Sequence, residues 1–271
     1  MNLHRLTFLK LGGSLITDKD SPHTPRRDVL ARLAQEIAAA RAEQPQLPLL
    51  IGHGSGSYGH TAAHKYGTRQ GVQGSQQWAG FVEVWKEARA LNQLVVEYLL
   101  DAGLPVIAFP PSASVTARGG QPHRWDTAPI QAALAAGLIP LIQGDVIFDE
   151  TLNGTILSTE DLFIFLAGRL HPHRILLAGL QEGVWADFPQ CTELIPFIHP
   201  DNFEAISTRI GRSASIDVTG GMLQKVQSMV ELVKTEPELQ VMIFSGGKPG
   251  AVQNALLGGS LGTVINKLHT I

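Results

Sequence analysis

The 271-residue sequence has a single cysteine, Cys191, which excludes an internal disulfide and suits a reducing, cytoplasmic setting. No apolar run approaches the ~20 residues needed to cross a bilayer. The N-terminal apolar stretch is broken by Lys10 and then by Gly12 and Gly13, so it does not read as a signal peptide. Lysine and arginine form no dense block and the formal net charge is −3, which argues against nucleic acid or an anionic membrane as the main partner. Charged residues make up 17% of the chain and hydrophobic ones 44%, a balance that excludes wholesale disorder and allows a sizeable core. This length predicts one large domain, or one domain of two lobes. Glycine is plentiful at 28 residues, and its placement carries the rest of the reading.

Residues 6–11, 48–51, 139–143, 174–178 and 241–245 are short apolar runs, each followed at once by glycine. Residues 105–109 form a sixth run, ended by Pro110 and Pro111. Continuous apolar runs without alternation fit strands buried on both faces of a parallel sheet. Helical periodicity falls between them. Leu30, Leu33, Ala34 and Ile37 share one face, as do Val84, Ala88, Leu91, Val95 and Leu99, and later Met222, Val226, Met229, Val230 and Val233. This alternation predicts an α/β fold with a mostly parallel central sheet. Ligands then bind beyond the carboxyl ends of the strands, where the glycines fall. Residues 110–127 and 185–220, rich in Pro, Gly, Ser, Thr and Asp, read as long loops. A lobe boundary is expected near residues 170–174.

Five loops carry candidate chemistry. Lys10-Leu11-Gly12-Gly13-Ser14 joins a point charge to glycines that let backbone N–H groups approach an anion; a plain turn is the alternative. In the loop 52–60, Gly54, Gly56 and Gly59 make G-x-G-x-x-G straight after a strand, but no acidic residue ends a second strand about 20 residues on, where a dinucleotide site places one. The same stretch matches a P-loop with His60 in place of its lysine. What both readings share is a strand, exposed amides and a helix start suited to phosphate. His60 could donate to a phosphate oxygen or simply bond backbone. His60 and His64 have the spacing of a metal pair but no third ligand, so no protein metal site is expected. Gly144-Asp145 and the stretch Ser158-Thr159-Glu160-Asp161 offer carboxylates to hold ammonium groups or Mg²⁺, with Glu160 read as an ordinary solvated acid. Asp217 opens a glycine loop that leads into a helix, with Lys225 one turn in, and Gly246 to Gly250 again joins glycine to lysine. Four such sites at one sheet edge suit phosphoryl transfer, where catalysis is mostly positioning and charge stabilisation. Trp78, Phe81 and Trp85 fall at i, i+3, i+7 and read equally as a wall for an apolar substrate tail or as ordinary core.

These motifs resemble the amino acid kinase superfamily, and within it the isopentenyl phosphate kinases. The resemblance runs over nearly the whole chain, from the residues 10–19 through the 52–60 loop, Pro110-Pro111-Ser112, Gly144-Asp145-Val146 and 217–225 to Gly258–Thr263. It implies an open αβα sandwich, a homodimer, an acceptor-binding lobe at about 1–172 and a nucleotide-binding lobe at about 173–271. It also implies Mg²⁺ and ATP, with isopentenyl phosphate accepting the γ-phosphoryl group. By the same resemblance Lys10 would bridge donor and acceptor phosphates, while Lys19 and Lys225 would neutralise charge on the nucleotide side. The amides of Gly54, Ser55 and Gly56, with Gly59, His60 and Gly144, would hold the acceptor phosphate, and Asp145 or Asp161 would orient the lysines. Gly12, Gly13, Ser14 and Gly179 would approach the nucleotide, as would Asp217, Gly220 and Gly221. Two stretches depart from the family pattern: Ala178–Gly183 lacks two expected nucleotide-binding side chains, and Ser158–Asp161 replaces a Ser-Gly-Asp-Asp stretch. The same lysines and histidine also fit a kinase of this fold acting on a phosphonate such as fosfomycin. A dinucleotide- or ligand-binding module is the reading of another class.

Overall fold

The computed structural model describes residues 5–210 and 221–267. The six apolar runs become β1 (Thr7–Leu11), β2 (Leu49–His53), β3 (Val106–Ala108), β6 (Ile139–Gln143), β9 (Arg174–Gly179) and β13 (Gln240–Ser245). With β12 (Phe197–Ile198) and β14 (Thr263–Ile265) they form an eight-stranded sheet, ordered β12-β14-β13-β9-β1-β2-β6-β3. Neighbours run parallel except at β13–β14. From β1 the chain fills one side of the sheet with β2, then β3 at the edge, then β6 between them, and afterwards crosses to the other side of β1 with β9 and β13. β1 and β9 therefore flank the point where the winding reverses, which is where such sheets bind ligands.

The alternation of side chains along β1 assigns the layers. Leu9 and Leu11 face a cluster with α1 (Gly13–Ile16), α2 (Arg27–Glu43), α4 (Gly74–Asp101) and α9 (Ala251–Leu256). Leu6 and Phe8 face the opposite cluster with α5 (Ala128–Ala135), α6 (Thr159–Leu170), α7 (Phe203–Ile210) and α8 (Gly221–Thr235). The result is an αβα sandwich with both sheet faces covered. Each fully buried Leu, Ile, Val or Phe in these clusters contributes about 1.5–3 kcal/mol. Lys10, one residue past Leu9, points to the α6 and α8 side, and the site follows from that.

Residues 110–127 are not a long loop. They contain β4 (Val115–Arg118) and β5 (Gln121–Trp125), antiparallel around Gly119-Gly120, and β4 pairs with β7 (Asp145–Asp149), itself antiparallel to β8 (Asn153–Leu157). Val115 and Ala117 are buried while Thr116 and Arg118 are exposed, a period of two that marks a half-buried strand. Residues 185–210 likewise hold structure: the hairpin β10 (Val184–Trp185) and β11 (Leu194–Ile195), then β12 and α7. The expected lobe boundary meets the start of β9, and β9 pairs with β1 in register from Thr7–Arg174 to Leu11–Ala178.

Candidate active site

A cleft of about 480 Å³ opens at the carboxyl ends of β1, β2, β6 and β9. Lys10 enters it from β1. Opposite Lys10 in the sheet register is Gly52, where a Cβ would strike Thr159 and Phe163, so the missing side chain lets the start of α6 close onto the sheet. Glu160, in the first turn of α6, thereby reaches the Lys10 ammonium in a direct ion pair, and its other oxygen lies 3.6 Å from Lys225 Nζ on α8. Side-chain exposures of 12% for Lys10 and 14% for Glu160 make this a desolvated pair. Burial alone would raise the Glu160 carboxyl, but the Lys10 and Lys225 ammonium groups outweigh it and hold it at about 2. Burial lowers Lys10 below the usual lysine value; Lys225 adds repulsion and Glu160 pulls the other way. The result is a cation–anion–cation bridge across the floor of the cleft.

This bridge corrects two expectations. Glu160 is not a solvated acid, and it is the carboxylate in contact with the lysines. Asp161 instead closes a capping box: its carboxylate accepts from the Ser158 N–H at 2.8 Å, while its own N–H donates to Ser158 Oγ at 3.1 Å, and Arg69 pairs with it at 3.4 Å. Asp145 lines the cleft too, but it forms no ion pair with a lysine among the described residues. It accepts from the N–H groups of Ser112 and Val146 at 3.2 and 2.9 Å, fastening the Pro110–Ser112 turn, and burial raises its carboxyl to about 6 against those bonds. The Ser-x-x-Asp spacing before the apolar run of α6 is a legible capping signal, and it puts Glu160 inside the first turn.

The glycine loop after β2 lies against the loop after β1. A Cβ on Gly13 would fall 2.3 Å from the Gly56 nitrogen, and one on Gly56, whose φ is +52°, 2.0 Å from Thr17 Oγ1. One of the three loop amides expected at the acceptor phosphate is engaged within the protein, Gly54 N–H donating to the Leu11 carbonyl at 3.1 Å, and Gly59 N–H likewise donates to Glu87. Ser57 N–H donates to Thr17 Oγ1 at 2.8 Å and Tyr58 N–H to the Ser55 carbonyl at 2.9 Å. The N–H groups of Ser55 and Gly56 have no protein acceptor among the described residues, nor do those of Gly13 and Ser14 at the start of α1. His60 begins α3 (His60–Tyr66) and, with Lys19 and Gly144, lines the same cleft. Asp217 and Gly220 lie outside the described residues. Gly221, Gly12 and Gly179 line the cleft.

Trp78, Phe81 and Trp85 do not line it. Phe81 is buried in a small cluster with Trp78 and Val84, both rings pack on Phe148, and Trp85 lies on the outer face of α4 beside Arg89. The face of α4 that reaches the cleft carries Val84 and Ala88, joined there by Ala63 and Ile156. Sequence periodicity had marked Val84 and Ala88 only as core. On the β9 side the wall is Leu180, Gln181, Trp185, Phe188 and Met222. Trp185 Nε1 donates to Gln181 Oε1 at 3.2 Å. Trp185 and Phe188 come from the region read as loop, and no spacing rule singles them out.

The chain is a three-layer sandwich with a lysine-bearing cleft at the winding reversal, and the family model for the amino acid kinase family matches residues 5–245, so the chain belongs to that family. Within it, the chain sits among the isopentenyl phosphate kinases. It is 32% identical over 270 residues to the isopentenyl phosphate kinase of Methanocaldococcus jannaschii, covering 96% of this chain and 98% of that protein. The enzyme of that name from Methanothermobacter thermautotrophicus is 32% identical over 276 residues, covering 97% and 100%. A solved isopentenyl phosphate kinase structure, 29% identical, superposes with a TM-score of 0.81 over 97% of this chain and 100% of its own.

Proposed function

We propose that the protein transfers the γ-phosphoryl group of ATP to isopentenyl phosphate, giving isopentenyl diphosphate and ADP. The observation that carries this reading is the Lys10–Glu160–Lys225 bridge standing beside unengaged loop amides, with the apolar Val84 and Ala88 wall behind them. Phosphoryl transfer needs charge stabilisation and alignment more than covalent chemistry. Glu160 keeps two lysine side chains in place before substrate arrives, so little reorganisation is needed in the transition state. Lys10, nearest the glycine loops, would contact the phosphoryl group in flight, and Lys225 and Lys19 the donor phosphates. The Ser55 and Gly56 amides and His60 would hold the acceptor phosphate. No general base is required, because that phosphate is already anionic at neutral pH. The tail would lie on Val84, Ala88, Ala63 and Ile156, and the nucleotide between the Gly12-Gly13 turn and the Trp185–Phe188 wall.

Mg²⁺ fits this site as a passenger on the nucleotide. Among the described residues no group of three or more His, Cys, Asp or Glu could hold a metal ion, and the cleft carboxylates Glu160 and Asp145 are engaged by lysines and backbone N–H groups. Bound through phosphate oxygens and water, as Mg²⁺ prefers, it would neutralise part of the donor charge. The same reading has the protein act as a homodimer, which sedimentation would test.

The deciding assay follows ADP release and diphosphate formation with Mg-ATP and isopentenyl phosphate. Turnover of isopentenyl phosphate is expected. Turnover of fosfomycin alone would move the assignment to a phosphonate kinase of the same fold. Nucleotide binding with no transfer to either acceptor would leave a ligand-binding module.

A further inference from the structure

The residues that link α1 to α2 fold back on themselves as a narrow hairpin that carries Lys19. Thr17 bridges Pro25, the Asp18 N–H donates to the Thr24 carbonyl at 2.8 Å, and the Arg26 N–H donates to the Ile16 carbonyl at 2.8 Å. Lys19 lines the cleft from this hairpin. The opposite arm is fastened to the glycine loop. Thr24 N–H donates to Ser57 Oγ at 3.3 Å, Tyr58 OH donates to the His23 carbonyl at 3.1 Å, and the His23 and Tyr58 rings meet edge-on at 5.4 Å.

Glu87 lies beneath both pieces. It stands on α4 one turn from Val84, with its side chain 14% exposed. One carboxylate oxygen accepts from His23 Nε2 at 3.0 Å, and the other from the N–H of Gly59, the residue before His60. Both oxygens of this half-buried carboxylate are therefore engaged, one by the hairpin and one by the loop. One side chain thus joins the hairpin that carries Lys19, the loop that offers the Ser55 and Gly56 amides, and the helix that walls the cleft.

We propose that Glu87 and His23 are positioning residues: a clasp that sets the Lys19 hairpin against the glycine loop and fixes the span between Lys19 and the Ser55 and Gly56 amides. What that span serves rests on the phosphoryl-transfer reading above. The clasp itself does not. Neither residue touches the cleft, so each acts through Lys19 and the loop.

Two variants test it. Glu87→Gln keeps an acceptor for the Gly59 N–H but loses the charge facing His23. His23→Asn withdraws the ring from an exposed position, and asparagine tolerates the left-handed backbone there, where φ is 54°. Hydrogen exchange on the protein without substrate is expected to speed up by about tenfold in residues 18–24 in both variants and to stay unchanged in the central sheet. In turnover, each variant is expected to lower kcat by about tenfold in the otherwise unaltered enzyme, and by less than about twofold when Lys19→Ala is already present, because a displaced lysine and an absent one cost the same. Unchanged exchange in residues 18–24 overturns the clasp, and so does an equal loss of kcat with and without Lys19. Failure of the unaltered protein to turn over any phosphate acceptor overturns the functional reading alone, since the exchange measurement needs no substrate.

Discussion

Replacing Glu160 with glutamine would leave two ammonium groups facing each other across the cleft without the charge between them. The carboxylate raises the affinity of Lys10 for its proton, against burial and Lys225, which lower it. Its removal therefore lowers that affinity further, and the ammonium form is lost at a lower pH. In Glu160→Gln the alkaline limb of the kcat–pH profile is expected to move to lower pH than in the unaltered enzyme, with kcat at neutral pH down by about 10²-fold. An unmoved limb would show that Lys10 charge does not govern the rate. Residue-level chemistry was partly legible in the sequence. Lys10 and Lys225 stand out because each adjoins a glycine turn, whereas Glu160 is one acid among several until the capping box and the bare Gly52 fix where α6 begins. Asp145 and Asp161 carry the same sequence signal, a carboxylate at the sheet edge that bears the lysines, but backbone N–H groups engage both.

The small sheet built from β4, β5, β7 and β8 depends on one side chain. Asp149, at the end of β7, accepts from the N–H groups of Gly119, Gly120, Thr151 and Leu152 and from the Thr151 hydroxyl, at 2.8–3.1 Å. Partial burial would raise its carboxyl, but the Gly120, Leu152 and Thr151 bonds outweigh that and hold it at about 2. The contribution is present above the ordinary aspartate value near 4 and is lost as pH falls through about 2. Asp149→Ala, which strands several of these donors, is expected to cost about 3 kcal/mol, read as a fall in the urea midpoint at pH 7 that narrows towards pH 2. The strands of the central sheet were legible because burial on both faces makes them unbroken apolar runs. β4 and β5 were not, because one face meets solvent and admits Thr116, Arg118, Gln121 and Arg124. Their alternation and the Gly-Gly turn were the available signal, masked by the loop-like composition around them. The same limit hid the aromatic wall at Trp185 and Phe188.

Across the whole molecule, the pairing of β9 with β1 joins the two proposed lobes through the middle of one sheet. Cutting the chain near residue 172 would expose the edge of β1 and strip Leu6 and Phe8 of Ile175 and Leu177, which share their cluster. The intact protein is expected to unfold in a single calorimetric transition, and the fragment 1–172 to lack a cooperative one. Two separate transitions would instead mark independent lobes. The apolar patterning predicted the layers and the sheet edge where the cleft opens, since both follow from period and strand direction alone. The closeness of the β1 and β2 loops was not readable, because it arises between glycines that leave no pattern of their own. That closeness has an evolutionary consequence. Gly13 and Gly56 meet backbone to backbone, so even with Thr17 trimmed a Cβ on Gly56 would lie 2.6 Å from the Gly13 carbonyl oxygen, and one on Gly13 would lie 2.3 Å from the Gly56 nitrogen. A selection from fully randomised codons at these two positions should return glycine at both, while the aliphatic wall at Val84 and Ala88 stays free to drift. The glycine-loop end of the cleft is closed to variation, and inherited change in the shape of the cleft must enter through the other end.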